Sequence, residues 1–409
     1  MLQQHRGSDD QGVRVVGMNQ ANGASLENQG ISADIVVVGA GLAGAAAAAV
    51  LGRQGWRVIL VDPRPTCPPV FKAEKVDKDQ VQLLRKHGLL DPLLSYAGEV
   101  REVRVAYDGR VFGRIPVEQY GISYPDMVNA LRAHLPANVE FHLGRVEAIA
   151  NSDQIQRIKL SGGQELLSRL IVVASGINDG FQSRLNVRRH LFRRNQSFVF
   201  GFTVAAPQSR PFDFDSVTYY SIDPSTCIDY LTLFKIRDTM RANLFVFRDR
   251  TDPWVRAFVH EPDRMLRESL PKLGRVTGEY RVIGRVESGG ADLYRLEGDP
   301  PPGVALIGDS FQSVCPSTGM GLAKVLTDVD ALAECVPSWF ATPGMGPSKL
   351  ADFYNHPRKL ATDFRALRSA HHHRQIAMDS TLRWRIHRSL LHMKWRLSGA
   401  FRTLAYVGR

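Results

Sequence analysis

Three glycines and an acid near the start of the chain have the types and spacing to hold a dinucleotide. Gly39, Gly41 and Gly44 make a G-x-G-x-x-G turn, and Asp62 follows at the end of the next apolar run. The first glycine allows the tight turn, the second lets the backbone approach a pyrophosphate, and the third lets helix pack close on strand. The diphosphate then sits at a helix N-terminus, where free N–H groups and the macrodipole favour negative charge. Asp62 is placed to accept from a ribose 2′-hydroxyl, which favours FAD or NAD over NADP.

These residues need a βαβ unit to carry them, and the chain spells one from Asp34 as DIVVVGAGLAGAAAAAVLGRQGWRVILVDPRP. Ile35 to Val38 and Val58 to Val61 are short, continuous, mostly β-branched runs, as in parallel strands covered on both faces. An Ala-rich helix lies between them. The candidate cofactor contacts here are Gly39, Ala40, Gly41, Leu42, Ala43 and Gly44 in the turn, then Asp62, Pro63 and Arg64 after the second strand.

A second fingerprint lies far downstream, VALIGDSFQSVCPSTGMGLAKVLTDVDAL, from Val304 to Leu332. It resembles the glycine-aspartate motif of the para-hydroxybenzoate hydroxylase superfamily, the FAD-dependent monooxygenases and related FAD-binding oxidoreductases. Gly308, Asp309, Pro316, Gly319 and Gly321 match it. An apolar strand, Ala305 to Ile307, delivers Asp309 to its carboxyl end, where open α/β folds place ligands. Asp309 is thus suited to hold a ribityl hydroxyl. Thr318 to Gly321, with Met320 among them, open a helix whose N-terminus can stabilise negative charge at the N1 and O2 edge of a reduced flavin. Pro316 would pack near the ring.

The resemblance extends over roughly Asp34 to Glu334. DKDQVQLLRKHGLLDPLL, from Asp77, resembles the superfamily helix with an LGLLD ending, and Ser123 to Leu135 resembles the helix leading to the adenine-side strand. Arg145 to Ile149 and Leu170 to Ala174 complete the cofactor unit, and Val146 matches a residue whose backbone contacts the adenine in relatives. The implied fold class is α/β: a split Rossmann-type FAD-binding domain, an interleaved, mostly antiparallel substrate sheet and a helical C-terminal segment. The expected divisions are a flexible tail over 1–32, a first FAD-binding part over 33–186 with an insertion at about 67–122, the substrate sheet over 187–285, a second FAD-binding part over 286–336 and a basic helical region over 348–409.

Several positions depart from the superfamily pattern. Where hydroxylases carry A-D-G-x-x-S-x-x-R, this chain has Ala174, Ser175 and Gly176. Either Ser175 replaces the acid, or Asp179 and Gly180, before Ser183 and Arg184, take its place with a shift. Direct use of NAD(P)H as reductant is therefore less firmly implied than FAD. Gln312 stands where many relatives have His, Ala323 where they have Asn, and Tyr124 where Arg often opens a helix. Lys72 and Lys75 lie where relatives place a basic residue near the flavin or nicotinamide. Lys75 and Pro316 are accordingly the catalytic candidates.

The resemblance implies a monooxygenase that hydroxylates an apolar or aromatic small molecule with O2 through a flavin C4a-hydroperoxide, the cofactor carrying the chemistry. A flavin-dependent halogenase, a reductase or dehydrogenase, or a flavin-binding protein without turnover remain open on the same scaffold.

Composition excludes several other classes. No apolar run approaches the roughly 20 residues of a membrane-spanning helix. The four cysteines are scattered without a CxxC pair, so neither zinc nor a disulfide framework is expected. A metal site is not expected at His371, His372 and His373 either, because adjacent helical residues point in different directions. The net charge of +11 is spread along the chain without a nucleic-acid-binding motif, which argues against that partner. The polar amino-terminal tail lacks the apolar core of a secretory signal, which points to the cytoplasm.

At the carboxyl end, Leu382, Ile386, Leu390, Met393, Leu397, Phe401 and Leu404 recur at helical spacing and form a stripe expected to pack on the body. Trp384, Leu391 and Trp395, with Arg388 and Arg402, form a second face, apolar and basic, suited to peripheral contact with an anionic membrane or a partner protein.

Overall fold

The computed structural model describes residues 31–177, 185, 187–207, 211–221, 223–298 and 301–398. The expected amino-terminal tail (apart from 31–32), the Asp179–Arg184 alternative, Phe401, Arg402 and Leu404 lie outside them. So do the side chains of Trp395 and Leu397.

Continuous apolar runs become the buried strands of a seven-stranded sheet. Its parallel core is β6 (Val139–Leu143), β2 (Val58–Asp62), β1 (Ile31–Val38), β9 (Glu165–Val173) and β15 (Val304–Leu306). β8 (Gln156–Leu160) and β7 (Val146–Ala150) extend it antiparallel from the first half of β9. Helix α1 (Leu42–Arg53), whose alanines are all buried except Ala43, covers one face with the helix Gly321–Phe340. Helices α2 (Lys78–Lys86), α3 (Asp91–Leu94) and α4 (Tyr124–Ala133) complete that layer.

Alternating segments build a second sheet of eight strands, ordered β14-β10-β13-β12-β11-β4-β5-β3. These are β3 (Lys75–Val76), β4 (Gly98–Tyr107), β5 (Arg110–Gly121), β10 (Arg188–Ala205), β11 (Ser216–Tyr220), β12 (Ile228–Ile236), β13 (Thr239–Val246) and β14 (Arg281–Glu297). All neighbours are antiparallel except β11 with β4. One face buries Phe200, Phe202, Leu231, Leu233 and Leu244 against the helices Pro253–His260 and Pro262–Ser269, giving a core separate from that of the first sheet. The other face points toward the loop before the helix Gly321–Phe340, as shown by Tyr230 on β12, whose hydroxyl donates to Ser317 O at 2.6 Å.

The long helix Pro357–Met378 runs beside Gly321–Phe340, and Leu382–Ser398 follows it. The last helix lies with the opposite face inward from the one expected. Leu382 is 70% exposed and Ile386, Leu390 and Met393 are 51–52% exposed, whereas Arg388 is buried. Arg388 donates to Ile376 O at 2.8 Å, satisfying one of the end carbonyls of the preceding helix. The Trp384 ring packs 5.6 Å from His372 and 5.0 Å from His387. Helical spacing defines a stripe but not its direction; here a carbonyl in need of a donor and the ring surface of His372 decided it.

Asp330, in the helix Gly321–Phe340, ties three helices together. It meets Lys86, His87 at 2.8 Å and Arg358 at 2.6 Å. Burial acts to raise its carboxyl, but hydrogen bonds from His87 and Lys86 and the charges of Lys86 and Arg358 outweigh it and hold the group down at about 2. Such a depressed carboxyl contributes stability that is present above its unfolded value and lost as pH falls through the folded one. Asp330→Asn should therefore lower stability by about 1–2 kcal/mol at neutral pH and converge with wild type between about pH 4 and 2. Urea midpoints across pH measure this, and equal midpoints at neutral pH would contradict it.

Candidate dinucleotide site

The first glycine turn connects the carboxyl end of β1 to α1. Gly39 has φ +96°, a conformation L side chains avoid, and an added Cβ would lie 2.7 Å from Ala174 O. At Gly44 the added atom would lie 1.7 Å from Gly39 O, so helix and turn touch only because this position has no side chain. Gly41 has only the Tyr124 hydroxyl nearby, at 3.2 Å, and that same oxygen accepts from Leu42 N. Ala40 and Leu42 are buried, and Ala43 is half-buried.

Asp62 ends β2 and is buried. Ala40 N donates to its Oδ2 at 2.8 Å and Arg64 N to its Oδ1 at 3.0 Å, just past Pro63. Arg132 on α4 closes the corner: its Nε donates to Ala40 O at 2.7 Å, and its guanidinium lies 3.7 Å from Asp62. Arg132 was not among the sequence candidates, and nothing in its position along the chain links it to Asp62. Val146 is buried in the apolar cluster that contains Val38 and Val61.

The second fingerprint lies beside the first. β9 separates β1 from β15, and a Cβ added at Gly308 would sit 3.4 Å from that of Ala43. Gly308 N donates to Asp328 Oδ2 at 2.8 Å, which fixes the turn that presents Asp309. Burial pushes the Asp309 carboxyl up while Lys72, Lys324 and Arg189 act to lower it; among the described residues no hydrogen bond holds that carboxylate. Pro316 opens a short 3₁₀ turn, and Gly319 follows at φ +65°. Gly319 and Gly321 are exposed, Met320 is half-buried, and none of the described residues lies within 4 Å of a Cβ added at Gly321. Ser310 bonds the Ala174–Gly176 segment, its Oγ accepting from Gly176 N at 3.0 Å and lying 3.5 Å from Ser175 Oγ. Gln312 is buried and donates to Asp363 O, a structural role.

The segment carrying both lysines is clamped to the second sheet. Glu74 pairs with Arg241 at 2.9 Å, and Phe71 packs where Gly201 leaves room. The Lys72 ammonium lies 5.2 Å from the centre of the Tyr124 ring, and its charge acts on Asp309. Lys75 pairs with Asp77 at 3.3 Å, and Gln80, in the same cap, donates to Gly319 O at 3.3 Å. On β12 and its neighbours, Tyr230 lies 5.6 Å from Tyr220 and 4.6 Å from Phe245, an aromatic patch next to the Pro316–Gly321 loop. Asp229 and His373 lie 2.7 Å apart beneath that loop; in the sequence His373 figures only in the His371–His373 run and nothing pairs it with Asp229, since 144 residues separate them.

Residues fit FAD in three respects: a turn in which Gly39 and Gly44 are sterically required, an acid at a strand end without a hydrogen bond among the described residues, and an exposed glycine-led helix start.

Comparison with known proteins agrees. A family model described as lycopene cyclase protein matches residues 34–219. The chain is 23% identical over 330 residues to 3-demethoxyubiquinol 3-hydroxylase of Escherichia coli (strain K12), covering 74% of this chain and 78% of that protein. Further curated relatives are covered over 20–62% of their own length. The fold matches p-nitrophenol 4-monooxygenase PnpA from Pseudomonas putida DLL-E4 with a TM-score of 0.72 at 17% identity, over 90% of this chain and 94% of that one. It also matches the flavin-dependent brominase Bmp2 with a TM-score of 0.64 at 16% identity, over 90% and 94%. With both fingerprints brought to one sheet edge and these similarities across most of its length, the chain is similar in sequence to FAD-dependent monooxygenases and shares their fold.

Proposed function

We propose that the chain is an FAD-dependent monooxygenase that inserts one atom of O2 into an apolar or aromatic small molecule and releases the other as water, with NAD(P)H as electron donor. The observation that carries this is the meeting of the two fingerprints at the carboxyl edge of one parallel sheet, beside an aromatic wall from the second sheet. FAD, when bound, supplies the redox chemistry and the activation of O2. Gly39 to Gly44 and the α1 N-terminus would hold the diphosphate. Asp62 would hold the adenosine ribose with lone pairs left over from its two backbone bonds, Pro63 and Arg64 would flank it, and the Val146 backbone would meet the adenine. Asp309 would accept from the ribityl chain, and the N–H groups at the start of the helix Gly321–Phe340 would face the ring edge that becomes negative on reduction. Pro316 would pack by the ring. Lys72 and Lys75 would meet the nicotinamide donor or the reduced ring.

The aromatic patch of Tyr220, Tyr230 and Phe245 supports an apolar or aromatic substrate. So does the similarity to 3-demethoxyubiquinol 3-hydroxylase of E. coli. The likeness to a brominase keeps halogenation as a second reading, because one fold hosts several reactions.

No helix among the described residues is long and apolar enough to cross a membrane. Peripheral contact through the last helix is nevertheless supported, on the face opposite to the one read from the sequence. Leu382, Ile386, Leu390 and Met393 are exposed, and the last helix holds five lysines and arginines and no acid. That pairing of apolar stripe and positive charge suits an anionic bilayer, from which a lipophilic substrate could be drawn.

Three measurements test these readings. Gly321→Ala, with no neighbour to clash, should keep the melting temperature and weaken FAD binding, and Asp309→Ala should weaken it about tenfold or more, the loss of a charge-assisted hydrogen bond. Unchanged affinity in both would defeat the flavin site. Oxygen and NAD(P)H consumption over a panel of phenolic and lipophilic compounds should yield a hydroxylated product, whereas a product formed only with added halide favours the brominase-like reading. For the membrane, Leu382→Ser with Ile386→Ser and Leu390→Ser should abolish co-sedimentation with anionic vesicles at low salt; equal sedimentation of variant and wild type would rule that face out.

A further inference from the structure

A bulge in β12 gathers a second set of polar groups beneath the Pro316–Gly321 loop. Ile228 pairs with Val246 and Tyr230 with Phe245, so Asp229 is the extra residue. Ile228 and Leu231 both enter the apolar core on the helix side, while Tyr230 turns to the loop and Asp229 meets the helix Pro357–Met378. Bulges re-aim side chains in this way beside active sites.

Ser317, fully buried, is where these groups converge. Its carbonyl accepts from Tyr230 at 2.6 Å, its hydroxyl lies 3.1 Å from Cys315 Sγ and beside the Asp229 carboxyl, which it acts to lower, and Cys315 in turn bonds Ser197. Asp229 Oδ2 is 2.7 Å from His373 Nδ1. The carboxylate side chain is 4% exposed and the imidazole 29%, so His373 links the buried acid to solvent. The other titratable or charged groups around the pair are Tyr230 and Tyr220 from the sheet, Asp77 from the α2 cap, and His372 and Arg374 on the helix.

We propose that Asp229 and His373 are a positioning pair that holds Ser317, and through it the loop that meets the flavin, and that the protonation of His373 sets how firmly the loop binds FAD. The inference rests on the loop facing the flavin. With His373 protonated, the pair is neutral overall and Asp229 stays ionised as the acceptor for Ser317. With His373 neutral, a lone carboxylate is left buried beneath a site that must accept negative charge, and it either repels that charge or takes up a proton and changes its bond to Ser317. Burial alone would lower the imidazole; the Asp229 carboxylate outweighs it and holds His373 above its ordinary range, so the change falls above about pH 6.5.

Two readouts on the full chain test this. The His373 imidazole, followed by NMR on the protein without added FAD, should titrate above the ordinary histidine value in wild type and below it in Asp229→Asn. The FAD dissociation constant should rise about three- to tenfold as pH passes through the wild-type His373 value, the size expected for one charge acting through a partly screened interior. That step should vanish in Asp229→Asn and in His373→Gln. Ser317→Ala should also lose the step while leaving the His373 titration unchanged, which separates a link through Ser317 from a general loosening of the fold. A step of wild-type size in both pair variants, or a His373 titration unmoved by Asp229→Asn, would overturn the proposal. Should Asp309→Ala and Gly321→Ala leave FAD affinity unchanged, the flavin reading fails; should they weaken it while wild type lacks the pH step, the pairing alone fails.

Discussion

Two lysines and two aspartates, all nearly or fully buried, join the second fingerprint to the C-terminal helices. Lys324 and Asp328 lie on the helix Gly321–Phe340, and Lys359 and Asp363 on Pro357–Met378. Lys324 pairs with both acids, and Lys359 lies 3.2 Å from Asp328 and 2.8 Å from Asp363. The Phe311 ring covers Lys359 at 3.8 Å. Four charges that sum to zero can remain buried, but removing one leaves an uncompensated ion at a cost of about 3–5 kcal/mol. The cluster also reaches the site, since Asp328 takes the Gly308 N–H and Asp363 O takes the Gln312 amide. The turn presenting Asp309 is thus fixed by a charge network that the C-terminal region completes.

That dependence explains why the chain beyond the second fingerprint cannot be regarded as an appendage. Pro357–Met378 supplies half of the ion cluster, the Arg358 contact to Asp330 and the His373 contact to Asp229. Three points along one helix therefore bear on three parts of the body: the Gly308 turn, the α2 anchor and, through Asp229, the surroundings of the loop from Pro316. A shift of this helix would be felt at each, because packed interiors transmit displacement rather than absorb it.

The second sheet is similarly divided by face. Its helix-side residues form an apolar core of their own, while Arg241, Tyr230 and the bulged Asp229 are spent on the segment Phe71–Val76 and on the loop from Pro316. Glycine at 201 lets Phe71 lie against the sheet, so that Lys72 is held beside Tyr124 and Asp309. These polar and aromatic contacts tie the second sheet to the segment Phe71–Val76 and to the loop from Pro316.

The elements that carry the two fingerprints were legible in the chain because their reasons are local. β1, α1 and β2 follow from a βαβ pattern whose glycines are sterically required, and Asp309 follows from a strand-end motif. The mostly antiparallel character of the second sheet was what the family resemblance implied. What the tertiary structure decided is every pairing across long sequence distance: Arg132 with Asp62, Asp229 with His373, and the four-charge cluster. It also decided which side of the last helix faces inward. Periodicity measures the angle between side chains on one element, whereas the choice of inward face depends on what the neighbouring element offers. Here that was the Ile376 carbonyl and the His372 ring, which drew Arg388 and Trp384 inward and left Leu382, Ile386 and Leu390 to the solvent.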